Sequence, residues 1–308
     1  LVRVTYNKKI KYITVDFFLV LYLLLCITTS LLRCTVMNIL LSINHLLKLN
    51  IKKIDIVLLT LILCIIINPF IIYDIGFIYS YTISFFLILY KNKYKTNNKL
   101  LKIIYISLIS FLVSLPINIY TSYEINFLSI ILNIIIVPIV SLILLPLSLL
   151  TLIFPILDNI LYLITSILEK ISLYTSNINI FKQILSKPSI ILIIIYYLVI
   201  ILILSKNKHY YLILILLIFH KTIPLYNSNL EVVMFDVGEA DSMLISTPSK
   251  KVNILIDTGR GIDINNIIIY LKSIGISKLN YLIITHGDED HIGGALYLID
   301  NFKVDNVI

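Results

Sequence analysis

The sequence predicts a polytopic α-helical membrane domain at residues 1–225, followed by a smaller α/β domain at residues 226–308. Three observations support this prediction. Hydrophobic residues make up 59% of the 308 residues and charged residues only 14%, whereas a soluble globular domain is about half apolar and about a quarter charged. Many apolar runs approach the roughly 20 residues that a helix needs to cross a bilayer. After residue 225, short strand patterns separated by glycine turns replace these runs.

The predicted membrane helices follow one another along the first part of the chain. Apolar segments predicted to span the bilayer lie at residues 12–32, 54–72, 75–90, 103–120, 127–154, 190–204 and 210–220. A weaker segment at residues 157–174 carries Asp158, Glu169 and Lys170, and it either crosses the bilayer or lies on its surface. Because these two alternatives reverse the topology, the side of the membrane that holds the C-terminal domain stays open.

Two stretches between these segments have a different character. Residues 33–48 place apolar side chains at helical spacing among Asn38, Asn44 and His45, which suits a helix at the interface or inside the bundle. Residues 91–102 hold five lysines and three asparagines, a composition typical of a cytoplasmic loop. The net charge of +8 is explained primarily by lysines in such loops, and only secondarily by a polyanionic partner.

Polar residues and prolines interrupt two of the apolar segments. The interruptions are Asn133, Pro138, Ser141 and Pro146 in one segment, and Asn68, Pro69, Asp74 and Gly76 in the other. Irregular backbone at membrane depth is tolerated where it is buried in protein or lines a wet cavity, and a kinked packing helix explains it equally well. Arg33, beside a spanning segment, fits an interfacial anchor better than a pore residue.

The cysteines and the two chain ends give further information about the kind of protein. Cys26, Cys34 and Cys64 lie in apolar segments without metal-type spacing, so they imply no disulfide framework. The chain begins with Leu1 and no signal-peptide pattern, and it stops at Ile308 inside a predicted strand. We therefore expect either a fragment of a longer protein or a truncated gene product.

The C-terminal domain is predicted to begin with hairpins and to continue with alternating strands and helices. Strands are expected at residues 230–237, 242–247, 252–256 and 279–285, with a last strand starting at Val304, and helices at residues 264–273 and 293–299. This order fits half of an α/β sandwich.

Four potential metal ligands fall within six positions after the apolar run at residues 281–284. His286, Asp288 and Asp290 are spaced so that an extended segment would point all three to one side, and His291 follows. Imidazole with carboxylate suits a divalent ion of the zinc or manganese type. A solvated polar turn is the alternative, although two histidines and three acids far exceed what a turn needs.

The interrupted segments carry a family resemblance. Residues 68–80 resemble the "NP…DxGFxLS" signature of the competence domain in ComEC-type DNA-uptake channels, and residues 33–37 resemble that family's "RA..M" segment. Pro116, then Asn133 to Pro138, then Pro146 are similar to its "lP…N…vP…lP" pattern. The resemblance implies a channel component of the bacterial cytoplasmic membrane that passes single-stranded DNA during natural transformation.

The C-terminal motifs resemble the metallo-β-lactamase-type domain of the same family. Residues 235–241 are similar to "LDVGQGD", residues 255–259 to "LIDTG", and residues 285–294 to "[TS]HxDxDHIGG". The implied fold is an αββα sandwich that is incomplete here, because the superfamily's later ligands would lie beyond Ile308. The implied activity is a metal-dependent hydrolase, a nuclease that degrades the strand of incoming DNA that is not transported.

The resemblance also implies roles for individual residues. His286 and Asp288 would hold one of two divalent ions, with Asp290 and His291 on the second, and Asp290 would be catalytic by orienting the nucleophile. The carboxylate at Asp288 replaces an imidazole of the general HxHxDH motif, which favours manganese or magnesium relative to zinc. Asp257 would orient a ligand or water, and Asp241 would do the same or cap a turn.

The implied partners are single-stranded DNA contacted through its backbone, the lipid bilayer and other DNA-uptake machinery, with a homo-oligomer left open. The implied location is the cell membrane, with multiple passes. Two alternatives remain at this point. One is a membrane-tethered metallohydrolase of another ester or phosphodiester, and the other is a truncated remnant without function.

Overall fold

The computed structural model describes residues 8–25, 28–91, 97–176, 178, 181–206 and 209–308. Contacts between Cα atoms divide the chain into two compact units, Leu1–Ser114 and Leu115–Ile308. The N-terminal region is helical, and the C-terminal region contains the larger of the two sheets. The predicted lysine-rich loop at residues 91–102 includes residues 92–96, which lie outside the described residues, as does Cys26.

Among the described residues, four helices and a short 3-10 helix lie wholly within the first unit. They are α1 (Lys8–Leu25), α2 (Thr29–Leu46), α3 (Lys53–Ile67), the 3-10 helix Pro69–Tyr73 and α4 (Ile75–Leu89). The prediction of one spanning segment over residues 12–32 was wrong. Thr28 is the N-cap of α2, and its side chain accepts a hydrogen bond from the backbone N–H of Leu31, 3.3 Å away. The apolar run at residues 12–32 therefore contains a helix boundary, and the capping hydroxyl of Thr28 marks it.

The helices between residues 99 and 222 are mostly apolar. They are α5 (Lys99–Ser122), α6 (Leu128–Ile139), a π-helical turn at Val140–Leu144, α7 (Leu145–Thr151), α8 (Asp158–Ser176), α9 (Ile190–Lys206) and α10 (Tyr211–Thr222). Among the described residues, two helical stretches, Leu100–Ser122 and Leu128–Thr151, are long and apolar enough to cross a membrane. The apolar helices Ile75–Leu89, Ile190–Ser205 and Tyr211–Tyr226 are shorter.

The predicted interruption at Pro138 and Pro146 takes the form of a π-helical turn between the two prolines. A proline removes one backbone donor from the helix, and a π turn is one of the local adjustments that re-satisfy the freed backbone groups. The helix consequently continues from Leu128 to Thr151 instead of breaking.

A two-stranded ribbon joins distant parts of the second unit. β1 (Glu124–Asn126) pairs antiparallel with β2 (Lys182–Ile184), with Ile125 opposite Gln183. Strands of three residues are too short to show a period of two, so the sequence pattern did not predict them.

The larger sheet has five strands in sequential order. They are β3 (Glu231–Met234), β4 (Met243–Ser246), β5 (Asn253–Ile256), β6 (Leu279–Ile283) and β7 (Val304–Val307). The β3–β4 and β4–β5 pairs are antiparallel, whereas β5–β6 and β6–β7 are parallel. The strands occupy the predicted places and are shorter by one to four residues where both ends were predicted.

Helices cover one face of this sheet. α11 (Ile264–Ser273) has the predicted bounds, whereas the helix predicted at residues 293–299 is α12 (Glu289–Ile292) followed by α13 (Ala295–Asn301). The core contains Leu244, Leu255 and Leu282 from the central strands, packed with Leu271 of α11 and Leu298 of α13. This packing fixes the strand ends that carry the polar motif.

Candidate metal centre

The site begins where β5 and β6 end. These strands are parallel neighbours, so their carboxyl ends meet at one edge of the sheet. Asp257 follows β5 in a left-handed conformation with φ +56°, and its backbone N–H donates to the carbonyl of Ile283, 2.8 Å away. The Asp257 carboxylate accepts hydrogen bonds from the backbone N–H and the hydroxyl of Thr285, at 2.8 and 2.7 Å. The two strand ends are thereby locked together.

His291 of α12 is held from both sides. Its Nδ1 lies 2.9 Å from Oδ2 of Asp257, and its backbone carbonyl accepts from the N–H and the hydroxyl of Thr258, at 2.7 and 2.9 Å. Because a carboxylate only accepts, Nδ1 carries the proton in this contact. In the neutral ring the Nε2 lone pair is then free to bind a metal.

His286, Asp290 and His291 form what we call the His–Asp cluster. Each offers one ligand atom, and these atoms all lie within 4.8 Å of one another. Nε2 of His291 lies 3.5 Å from Oδ2 of Asp290 and 3.9 Å from Oδ2 of Asp241. The His286 and His291 rings have centroids 3.7 Å apart. Two imidazoles and a carboxylate at this spacing fit a divalent ion.

Asp288 occupies a different position from that which the spacing suggested. The segment is not extended throughout, because Asp288 is the N-cap residue of α12 and helical backbone begins at Glu289. The Asp288 side chain is 78% exposed, and its Oδ2 lies 3.6 Å from Nε2 of His286. It stands beside the His–Asp cluster, and its assignment to a first metal stays a prediction.

Asp241 connects the early hairpin to the motif. Its backbone N–H donates to the carbonyl of Asp290, and its own carbonyl accepts from Gly259, at 3.3 and 3.0 Å. Its carboxylate is exposed and faces Nε2 of His291. Both earlier alternatives, a turn residue and a partner of the metal site, are compatible with this position.

The electrostatics of the Asp257–His291 pair favour charge on Asp257. Burial alone would raise the pKa of Asp257, but the hydrogen bonds from Thr285 and His291 outweigh it, so that its pKa lies below the ordinary value. The hydrogen bond to Asp257 raises the pKa of His291, against the opposing effect of burial. Binding of a metal at Nε2 must displace any second proton from this ring.

Thr258 and Thr285 are side chains of the site that sequence reasoning overlooked. Thr258 also accepts from the N–H of Gly294 through its hydroxyl, 3.1 Å away, and so anchors the turn after α12. Both threonines directly adjoin predicted residues, Asp257 and His286. A polar residue next to a predicted site residue was the available signal.

The candidates in the first unit contact other residues of that unit. Nη1 of Arg33 donates to the hydroxyl of Ser84 at 3.0 Å, and its guanidinium lies over the Tyr81 ring. Asn68 caps the 3-10 helix that begins with Pro69, by accepting from the N–H of Phe70.

Asp74 and Gly76 belong to the start of α4. Oδ1 of Asp74 accepts from the N–H of Phe77 at 2.7 Å and from the hydroxyl of Thr29 at 2.9 Å. A Cβ on Gly76 would lie 3.1 Å from that same oxygen. In the second unit, Asn133 and Pro138 lie on α6, ahead of the π turn. Any role of these residues in transport stays a prediction.

Comparison with known proteins follows the same division of the chain. The profile of the family described as "Competence protein" matches residues 1–209. The chain belongs to the Competence protein family. The metallo-beta-lactamase superfamily matches residues 235–308, which contain the His–Asp cluster.

A curated relative extends this comparison. "ComE operon protein 3" of Bacillus subtilis (strain 168) is 26% identical over 345 residues, an alignment that covers 100% of this chain and 44% of the relative. The chain thus spans less than half the length of that protein. No solved structure matches this chain.

Proposed function

We propose that this chain is a membrane component of DNA uptake in natural transformation, passing single-stranded DNA and carrying a metal-dependent hydrolase domain. The observation that carries the proposal is the joint presence, on one chain, of the Competence match over residues 1–209 and the His–Asp cluster within the metallo-beta-lactamase match. Membrane lipid, DNA and other uptake machinery are the proposed partners, and self-association is compatible with the same role.

The proposed location is a bacterial cytoplasmic membrane, crossed several times by residues 1–225. Apolar surface supports this part of the proposal. No residue of α6, the π turn or α7 is buried, although this stretch is the most apolar of the long helices. Large apolar surfaces are rarely left in water, so lipid or other membrane helices are the cover that its composition favours.

For residues 226–308 we propose the αββα sandwich. The strand register places Val232, Met234 and Tyr281 on the sheet face opposite the helices. Val232 and Met234 are 56% and 67% exposed. A second sheet packed on this face would bury them, as in other two-sheet cores.

The proposed metal ligands are His286, Asp288, Asp290 and His291, for two divalent ions of the zinc or manganese type. A bound divalent ion would supply Lewis-acid polarisation of a phosphoryl oxygen. Asp257 holds the Nδ1 proton of His291 and so keeps Nε2 available. Asp290, half-exposed beside His291, would accept a hydrogen bond from the attacking water and orient it.

Transformation of a strain that lacks this gene tests the proposal. Complementation with the wild-type gene is expected to restore transformants, and normal transformation without the gene would reject the uptake role. His291→Gln separates the two activities when donor DNA is supplied both as duplex and as preformed single strands. If the hydrolase domain removes one strand, this variant lowers transformation by duplex much more than by single strands.

Lys303→Gln is the matched control, since Lys303 is an exposed residue of the same domain outside the site. Both variant proteins are quantified in the membrane fraction by immunoblot. An equal loss with both kinds of donor DNA would reject strand degradation. Hydrolysis of another ester by the purified chain, with normal DNA uptake, would favour a membrane-tethered hydrolase instead.

A further inference from the structure

A lysine-lined cavity lies where the last apolar helix meets the sheet. Its volume is about 420 Å³, and we call it the lysine pocket. One side is the end of α10, with Ile218 and Lys221, followed by Pro224. The other side contains Lys251, after the β4 strand, and Gly275, after α11. All of these residues belong to the second unit.

Two of the four lysines in the lysine pocket are neutralised by acids. Lys250 forms an ion pair with Glu231, and Nζ of Lys278 lies 2.7 Å from Oδ2 of Asp305. These pairs leave little charge for a ligand.

The other two lysines keep their charge available. Nζ of Lys221 donates to the neutral Oε1 of Gln183 at 2.7 Å, and Lys251 is exposed. Among the described residues, no carboxylate oxygen lies within 4.0 Å of either amine. The C-terminal ends of α10 and α11 contribute roughly half a negative charge each. Two full positive charges exceed this, so the pocket favours an anion.

The wall next to the lysines is apolar and exposed. Ile218 lines the pocket and is 66% exposed, and Phe219 and Leu225 beside it are also exposed. Gly275 has φ +81°, and a Cβ at this position would overlap the Pro224 ring, so these two lining residues are in close contact. A site with a cationic rim and an apolar wall at the end of an apolar helix suits a ligand with an anionic head and a hydrocarbon tail.

We propose that the lysine pocket binds the headgroup of an anionic phospholipid. Lys221 and Lys251 contact the phosphate, and the first acyl carbons lie along Ile218. Such a lipid would hold the sheet domain at a defined position on the membrane surface. The apolar wall favours a lipid over a nucleic-acid backbone, which offers charge without hydrocarbon. The inference rests on the membrane location within the proposed function and is independent of DNA transport or hydrolysis.

Native mass spectrometry of the full chain in detergent tests the site. The chain is titrated with phosphatidylglycerol and, separately, with phosphatidylcholine of the same acyl chains. Phosphatidylglycerol is expected to bind more tightly. Lys251→Gln is expected to weaken it about fivefold, and the Lys221→Gln/Lys251→Gln pair about 25-fold, from the usual contribution of one lysine at an anionic surface. Lys303→Gln, an exposed lysine outside the pocket, is expected to have no effect.

Equal affinity for the two lipids would overturn the proposal, as would an unchanged lipid affinity in Lys251→Gln. A loss of affinity in Lys303→Gln as large as that in Lys251→Gln would also overturn it. So would displacement of phosphatidylglycerol by oligothymidylate at a concentration below that of the lipid. Displacement by millimolar inorganic phosphate alone would show a simple phosphate site and would also reject it. Carbonate extraction of membranes checks the location separately. A chain that resists extraction but shows no lipid preference rejects the lipid site while leaving the membrane role intact.

Discussion

Oδ2 of Asp257 lies 2.9 Å from Nδ1 of His291, across 34 positions of sequence. This contact links the end of β5 to α12 and decides which nitrogen of His291 faces the His–Asp cluster. The left-handed backbone at Asp257, with φ +56°, aims the carboxylate at the histidine. Asp tolerates this conformation better than most residues, so the residue type serves both the backbone and the site.

Asp257→Asn is expected to lower the affinity for Mn²⁺ or Zn²⁺ by about 10- to 100-fold, the usual effect of losing the partner of a metal-binding histidine. The amide can donate to Nδ1 and so favour the tautomer that blocks Nε2. Isothermal titration of the full chain with each metal measures the change.

Asn keeps the shape of Asp and also tolerates positive φ, so Asp257→Asn isolates the charge, whereas Asp257→Ala would add backbone strain. Asp300→Asn, an exposed acid on α13, is the control. Unchanged affinity in Asp257→Asn would show that the carboxylate has only a structural role.

Asp288→His is expected to shift metal preference toward zinc, by about tenfold relative to manganese, because imidazole is a softer ligand than carboxylate. The substitution restores the general HxHxDH pattern of the superfamily that the motif resembles. Because the Asp288 side chain is 78% exposed, the larger ring meets little steric resistance. Competition titrations with both metals measure the ratio.

Asp288→Asn is the matched control, since it removes the charge without supplying an imidazole. It is expected to weaken binding of both metals without a shift toward zinc. An identical zinc-to-manganese ratio in Asp288→His and the wild type would place Asp288 outside the metal site.

The sequence indicated which side chains form the site, and the structure brings three of the four proposed ligands together. The sequence predicted their directions less well. The spacing of His286, Asp288 and Asp290 implied one extended face, but helical backbone begins at Glu289 and leaves Asp288 outside the cluster. That boundary depends on the tertiary contacts of His291 with Asp257 and Thr258, which lie more than 30 positions away.

The fold shows the same division. The helix at Ile264–Ser273 has a clear amphipathic period and was predicted with its bounds. The ribbon of β1 and β2 depends on pairing across about 60 residues, and the boundary at Thr28 depends on one capping hydroxyl. The periodicity of apolar residues indicates neither the pairing of these strands nor the capping residue, so the sequence analysis missed both features.

Glu231→Gln is expected to flatten the acid side of the stability profile. The hydrogen bond from Lys250 lowers the pKa of Glu231 below its ordinary value of 4.5. Between the lowered pKa in the folded chain and the ordinary pKa in the unfolded chain, the unfolded chain binds more protons than the folded chain. The free energy of unfolding therefore rises with pH in this range. The pair therefore stabilises the fold above about pH 4.5 and loses this contribution as pH falls through the lowered pKa.

The expected contribution is on the order of 1 kcal/mol, since the Lys250 side chain is buried but Glu231 is partly exposed. Circular dichroism melting in detergent, between about pH 3 and about pH 7, measures it. Asp300→Asn, outside the pair, should retain the wild-type slope. The same slope in Glu231→Gln would show that this ion pair does not contribute.

Gly275→Ala is expected to destabilise the second unit by about 3 kcal/mol. Alanine at φ +81° costs about 1–2 kcal/mol, and overpacking adds about 1–3 kcal/mol. The added Cβ would overlap Cγ of Pro224 and approach Cβ of Ser186 to 3.4 Å. Neither neighbour can swing away, because the proline ring is rigid and the Ser186 carbonyl accepts a hydrogen bond from buried His220.

Gly287→Ala is the matched control for this substitution. Gly287 has no heavy atom within 4 Å of an added Cβ and no positive φ, so its alanine variant should melt near the wild type. The difference between the two variants in thermal unfolding isolates the contact between Gly275 and Pro224. Equal melting temperatures would mean that Pro224 moves freely away from α11, and the wall of the lysine pocket would then be flexible as well.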